Sequence, residues 1–215
     1  MSVADTAAAT RAMVIDATID CILEEGFYRA SSNRIAERAG VTWGVIQYHF
    51  GTRESLLLAT FQQGMLELID TLDSAVITGD TFEARLESLA DVIWRFYRQP
   101  RFVAYEQLTL NLLRDPSIDV ATVRLVRRQQ AKIGTRLTEL TTQVAGAEIA
   151  DVLPPPALLH ILRGLAIGLA LSDAVPRRAR HAPEAVTTDL ERQVLLAALG
   201  ALVRDAQRHG RTSQR

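Results

Sequence analysis

No stretch of this 215-residue chain alternates β-branched or apolar residues with polar ones as a half-buried strand must, and no Asn-Gly or Asp-Gly pair offers a hairpin turn. Apolar residues recur instead at spacings of three and four, as Val14, Ala17, Thr18, Cys21 and Ile22 do. That pattern restricts the chain to an all-α fold. Glycine, proline and capping residues cut it into about nine helices. A first helix from about Ala8 closes at Gly26. Ser31 precedes a short helix stopped by Gly40. Thr42 is placed to cap the next through its hydroxyl, and Thr52 to cap a long helix reaching about Ile77. Further breaks fall at "TGD" (78–80), Pro100, Pro116, "PPP" (154–156), "AVPRR" (174–178) and Pro183. The opening "MSVADTAAAT" and the closing "QRHGRTSQR" read as a frayed arm and a disordered tail.

The stretch "VTWGVIQYHF" raises a second question. Trp43, Val45, Gln47, Tyr48 and His49 cannot all face one core, and Gly44 sits where it costs a helix about 1 kcal/mol against alanine. Joined to the preceding helix it forms "SSNRIAERAGVTWGVIQYHF", a helix-turn-helix. Ile35, Ala36 and Ala39 face inward from one helix, and Val41, Val45 or Ile46, and Phe50 from the other. Thr42, Trp43, Gly44, Gln47, Tyr48 and His49 are left outside. Such a face suits a DNA groove. Gln hydrogen-bonds base edges, Tyr and His reach phosphates, and glycine admits a close backbone. The bland alternative is a surface helix whose aromatics pack on a neighbour; for Tyr48 alone, the ring is expected to pack on the helix pair while its hydroxyl reaches a phosphate.

Composition gives this reading little global support. The formal net charge is −1, so any positive field must be local. Ser31 to Arg53 holds three arginines against Glu37, whereas Met1 to Thr60 holds five arginines against seven acids. One cysteine, Cys21, excludes an intrachain disulfide and suits a reducing cytoplasm; it reads as an inert core residue. The run "LLHILRGLAIGLAL" carries His160 and Arg163 and is too short to span a bilayer, so no membrane partner is expected. No hydrolase elbow, phosphate loop, dinucleotide fingerprint or metal-binding histidine pair occurs. No enzyme activity, cofactor or metal is therefore expected.

The block "IAERAGVTWGVIQYHFGTRESLLLATF", with "EEGF" upstream and "SS" before it, resembles the tetracycline-repressor (TetR) family of bacterial transcriptional regulators across about Arg11 to Phe61. The resemblance implies that Thr42, Trp43, Gly44, Gln47, Tyr48 and His49 form the recognition face. It implies too that Ser31, Ser32, Asn33 and Arg53 approach phosphates. Gln47 stands where the family most often has Tyr, Trp43 where a small or basic residue is common, and Arg53 where Lys is usual.

The implied organisation is a DNA-binding domain over 8–52 and a helical ligand-binding and dimerisation domain over 53–210. In the second, Leu190, Val194, Ala197 and Ala201 form one apolar stripe, and Leu195, Ala198, Leu199 and Leu202 another. A helix with two apolar faces needs two partners. With Gly164 and Gly168 on the preceding helix, Leu190, Val194, Ala198 and Leu202 form the expected homodimer interface. Phe61, Met65, Trp94, Tyr97, Tyr105, Gln107, Asn111 and His160 are the candidate lining of a small-molecule pocket, against the alternative of ordinary core. The expected function is a repressor released from a palindromic double-stranded operator by a small apolar or aromatic effector. The alternatives are an activator or ligand-independent regulator of the same fold, or a protein-interaction module.

Overall fold

A computed structural model describes residues 3–174 and 188–212. They form nine helices and, among the described residues, no strand: α1 Val3–Glu25, α2 Ser32–Arg38, α3 Trp43–Phe50, α4 Arg53–Asp73, α5 Phe82–Tyr97, α6 Pro100–Arg114, α7 Val120–Ile149, α8 Pro155–Ala174 and α9 Thr188–Thr212. The all-α expectation holds, and several boundaries move. The alanine-rich arm before Ala8 is helical from Val3, since alanine is the strongest helix former. The fourth helix stops at Asp73 rather than Ile77. There Ala75 N–H donates to Leu72 O at 3.2 Å, and Ser74 Oγ donates to Thr71 O at 3.1 Å. The α9 helix continues to Thr212, so most of the expected tail is helical, and residues 213–215 lie outside the described residues. So does the break read at Pro183, while Ala174 ends α8. At 20 residues and a mean hydropathy of 1.5, α8 is long and apolar enough to cross a membrane by length and composition, which corrects the shorter estimate.

Contacts divide the chain into two compact units that do not part at Thr52. One comprises Met1–Asp70 and Gln99–Lys132, the other Thr71–Arg98 and Ile133–Arg215. Two of the three crossings fall inside α4 and α7, since a helix long enough to serve two cores belongs to both.

The first unit is built on α1. Val14, Thr18, Cys21 and Ile22 are buried along it, with Ile35 and Ala36 of α2, Ile46 and Phe50 of α3, and Leu108 and Leu112 of α6. Gly26 (φ +85), Gly40 (φ +66) and Gly51 (φ +79) end α1, the α2 turn and α3 in the left-handed region, where a side chain is strained. Burial raises the Cys21 thiol pKa above its usual value. In the second unit α5 packs on α8 and α9, burying Leu86, Leu89, Ile93, Leu158, Leu162 and Leu199. Three ion pairs also join α9 to α5 and its C-cap residue Arg98: Arg98–Asp189 at 2.9 Å, Arg192–Asp91 and Arg204–Glu83.

Candidate nucleic-acid interface

Ser31 caps α2, its Oγ accepting from Arg34 N–H at 3.4 Å. The α3 helix is anchored by Ile46 and Phe50, and Arg11 of α1 lies over the Phe50 ring and donates to His49 O. Two anchors four residues apart fix one face and turn the other outward. Thr42, Gly44, Gln47 and Tyr48 are exposed, while Trp43 and His49 are half-buried. Tyr48 is 86% exposed, with its ring edge-on to His49. It does not pack on the helix pair, which corrects the expectation for this side chain. Val45 is exposed too, leaving Ile46 as the inward residue.

Gly44 is not required by internal packing. A Cβ there would meet only Thr42 Oγ1, at 3.7 Å. Thr42 holds the N-cap position with extended backbone, yet its side chain makes no capping bond, against expectation. Thr52 does cap α4: Ser55 N–H donates to its Oγ1 at 3.0 Å.

Ser31, Ser32 and Asn33 share an open cleft of about 350 Å³ with Phe27, Tyr28, Arg53 and Asp115. Tyr28 and Asp115 were missed in the sequence. Tyr28 follows directly on the Gly-Phe helix end, but Asp115 is brought here by α6 from far along the chain.

The charges correct the sequence reading most. All three arginines of the expected positive face are engaged within the chain. Arg34 pairs with Glu25 at 2.8 Å and with Glu37, and Arg38 pairs with Glu24 and, at 3.8 Å, Asp20. The hydrogen bond from Arg34 holds the Glu25 carboxyl pKa below its usual value. Arg53 donates from Nη2 to Ala30 O at 3.1 Å and to Phe27 O at 3.3 Å, and from Nε to Ala30 O at 3.4 Å. Desolvation lowers its pKa, which the nearby Asp115 partly opposes. A local charge count misses this cancellation because the acids of α1 lie up to eighteen residues away.

The candidate pocket residues belong to different units. In the first, Phe61, Met65 and Tyr105 are core, and the Tyr105 hydroxyl donates to Glu67 Oε2 at 3.1 Å. Gln107 accepts from Phe27 N–H at 3.2 Å, and Asn111 donates to Gln107 O at 2.7 Å, so both are half-buried structural groups. In the second, His160 is exposed, while buried Trp94 and Tyr97 line a cavity of about 10 Å³ beside Leu169. Of the expected interface, Gly164, Gly168 and Ala198 are exposed, as are Leu190 (46%), Val194 (60%) and Leu202 (50%). Among the described residues no three potential metal ligands come together.

A helix-turn-helix whose second helix turns polar and aromatic side chains to solvent, carried by an all-helical body, defines a DNA-binding regulator. Residues 14–60 match the family model described as bacterial regulatory proteins, tetR family. BetI, an HTH-type transcriptional regulator of Klebsiella pneumoniae (strain 342), is 27% identical over 150 residues, covering 60% of this chain and 77% of that protein. The fatty acid metabolism regulator protein of Bacillus subtilis (strain 168) is 29% identical over 73 residues, 34% of this chain and only 38% of its own length. The fold resembles the crystal structure of AibR in complex with isovaleryl coenzyme A and operator DNA, with a TM-score of 0.64 and 14% identity over 88% of this chain and 97% of that one. Residues 14–60 thus carry the DNA-binding segment of the tetR family, and the rest of the chain is similar to those regulators in fold.

Proposed function

We propose that this regulator is a homodimeric cytoplasmic repressor whose two α3 helices read a palindromic operator. Residues 8–52 bind DNA in this reading, and residues 53–210 serve ligand binding and dimerisation. The observation that carries it is the α3 face: Gly44, Gln47 and Tyr48 are exposed, and internal packing does not require glycine at Gly44. Gln47 reads a base edge, Trp43, Tyr48 and His49 border the groove, and Gly44 lets the backbone approach. Amides at the α3 start, uncapped by Thr42, and those near Ser31, Ser32 and Asn33 meet phosphates. Two-fold symmetry sets the half-sites about 34–36 Å apart, or a multiple. The exposed apolar stripe on α9, with Gly164 and Gly168 on α8, supports the dimer.

Release follows if an apolar or aromatic effector binds better to a dimer whose α3 helices are wrongly spaced. The shift is limited to that difference in affinity. A ligand-independent regulator is the second reading. In that reading the cavity beside Trp94 and Tyr97, at about 10 Å³, holds at most a water molecule and is no effector site.

Selection of bound sequences from a random duplex pool tests the proposal. A palindrome with half-sites one turn apart is expected, and Gln47→Ala should relax preference at one symmetric pair of positions, costing about 1–3 kcal/mol there. An equal loss on every sequence would make Gln47 a backbone contact. No enrichment at all would sink the operator.

A further inference from the structure

The paired arginines leave a gap, because DNA binding needs cations for phosphates and the α3 sequence "WGVIQYHF" has neither Arg nor Lys. Six basic residues of the first unit make no ion pair or hydrogen bond among the described residues: Arg29, Arg114, Arg124, Arg127, Arg128 and Lys132. All six are exposed, and four lie within nine residues of α7. Their spacing of three, four and eight from Arg124 puts them on one face of the helix, opposite buried Thr122, Val126 and Ile133. No acidic residue occurs from Val120 to Thr138, so the helix does not neutralise its own stripe.

The position of α7 adds to this. Asp119, just before its first turn, accepts from the Ala121 and Thr122 N–H groups and interacts electrostatically with Glu54 in the first turn of α4. Four residues earlier, Asp115 lines the cleft with Ser31, Ser32 and Asn33. The chain thus passes this cleft at Asp115 and reaches the stripe nine residues later, at Arg124. The stripe extends about 12 Å from Arg124 to Lys132 at the helical rise.

We infer that Arg124, Arg127, Arg128 and Lys132 form a phosphate-binding surface that engages the DNA backbone flanking the base-reading contacts. The inference rests on the DNA-binding reading. It makes α7, outside the family-matched segment, the main source of unpaired positive charge for that task. Contacts of this kind position the protein and carry no sequence preference.

The test compares the full chain with a variant carrying Arg124→Gln, Arg127→Gln, Arg128→Gln and Lys132→Gln, on the selected duplex and on a random one, across a salt series. Loss of two to four contacts should flatten the logarithmic salt slope by about two to four units per protomer, equally on both duplexes, with base preference unchanged. Arg→Lys at Arg124, Arg127 and Arg128 should retain the slope, since each keeps a point charge. Circular dichroism checks that the helices survive, and the double variant Arg127→Gln, Arg128→Gln gives a graded reading. If the wild type binds DNA and the Gln variants keep its slope, the stripe serves another anion, such as an acidic protein, and the inference falls while the operator reading stands. If the wild type binds no duplex, both fall.

Discussion

Arg53 shows how a residue's chemistry is redirected by its surroundings. Its position at the start of α4 suggests a phosphate contact, yet its guanidinium closes the α1–α2 connection by donating to Phe27 O and Ala30 O. Carbonyls just beyond a helix end need donors, and a planar fork meets two at once. Arg53→Ala should therefore act on stability first. Leaving both carbonyls short of a donor costs about 1–3 kcal/mol, read as a lower denaturant midpoint with unchanged cooperativity. The salt slope of DNA binding should move little. A stable variant with a slope flattened by about one unit would return Arg53 to the interface.

At the scale of elements, the α4–α6 crossing depends on a missing side chain. A Cβ on Gly64 would lie 2.6 Å from the Tyr105 ring, and Tyr105 is fully buried. Burial, with Glu67 nearby, pushes its phenol pKa above the ordinary value. Gly64→Ala should destabilise the protein by about 1–3 kcal/mol through overpacking, measured by chemical denaturation, and Tyr105→Leu should relieve part of that loss in the double variant. The start of α7 predicts acid sensitivity. Asp119 accepts from Thr122 Oγ1, from Thr122 N–H at 3.0 Å and from Ala121 N–H at 2.7 Å, and the Thr122 bonds foremost hold its pKa at about 2. A carboxylate lowered on folding stabilises above its unfolded pKa, and that contribution is lost as pH falls through the folded one. Unfolding free energy should thus decline from about pH 4 to about pH 2, and Asp119→Ala should flatten that part of the profile.

For the whole molecule, the large apolar groups on the outer faces of α8 and α9 dominate. Leu190, Val194 and Leu202 on α9, with Ile161 and Leu171 on α8, are exposed in one chain. Exposed large apolar groups recurring along two helices suit an interaction surface. A Cβ at Gly164 or Gly168 meets nothing within 4 Å, so the chain's own packing does not demand glycine at either place. Gly168→Arg or Ala198→Glu should give a monomer in sedimentation velocity with helical content retained, because an unpartnered charge is costly in a desolvated interface. Operator affinity should fall more than tenfold, each half-site then being bound alone. Variants that remain dimeric and still hold the palindrome would move the interface elsewhere.

Helices and their ends were open to sequence reasoning because they are local. Period, caps and left-handed glycines act within a turn or two, which is why Ser31, Thr52, Gly26 and Gly40 were readable. So was the outward turn of Gln47 and Tyr48, since two apolar anchors on a short helix leave one free face. Tertiary structure alone decided where long side chains spend their charge. Arg34, Arg38 and Arg53 look like one positive patch in sequence; acids of α1 and carbonyls beyond its end absorb them. It also decided that Gly64 serves a ring forty-one residues away, and that part of α7 joins the unit holding the helix-turn-helix. Such pairings depend on which helices meet, and a flexible side chain goes to whichever partner that meeting supplies.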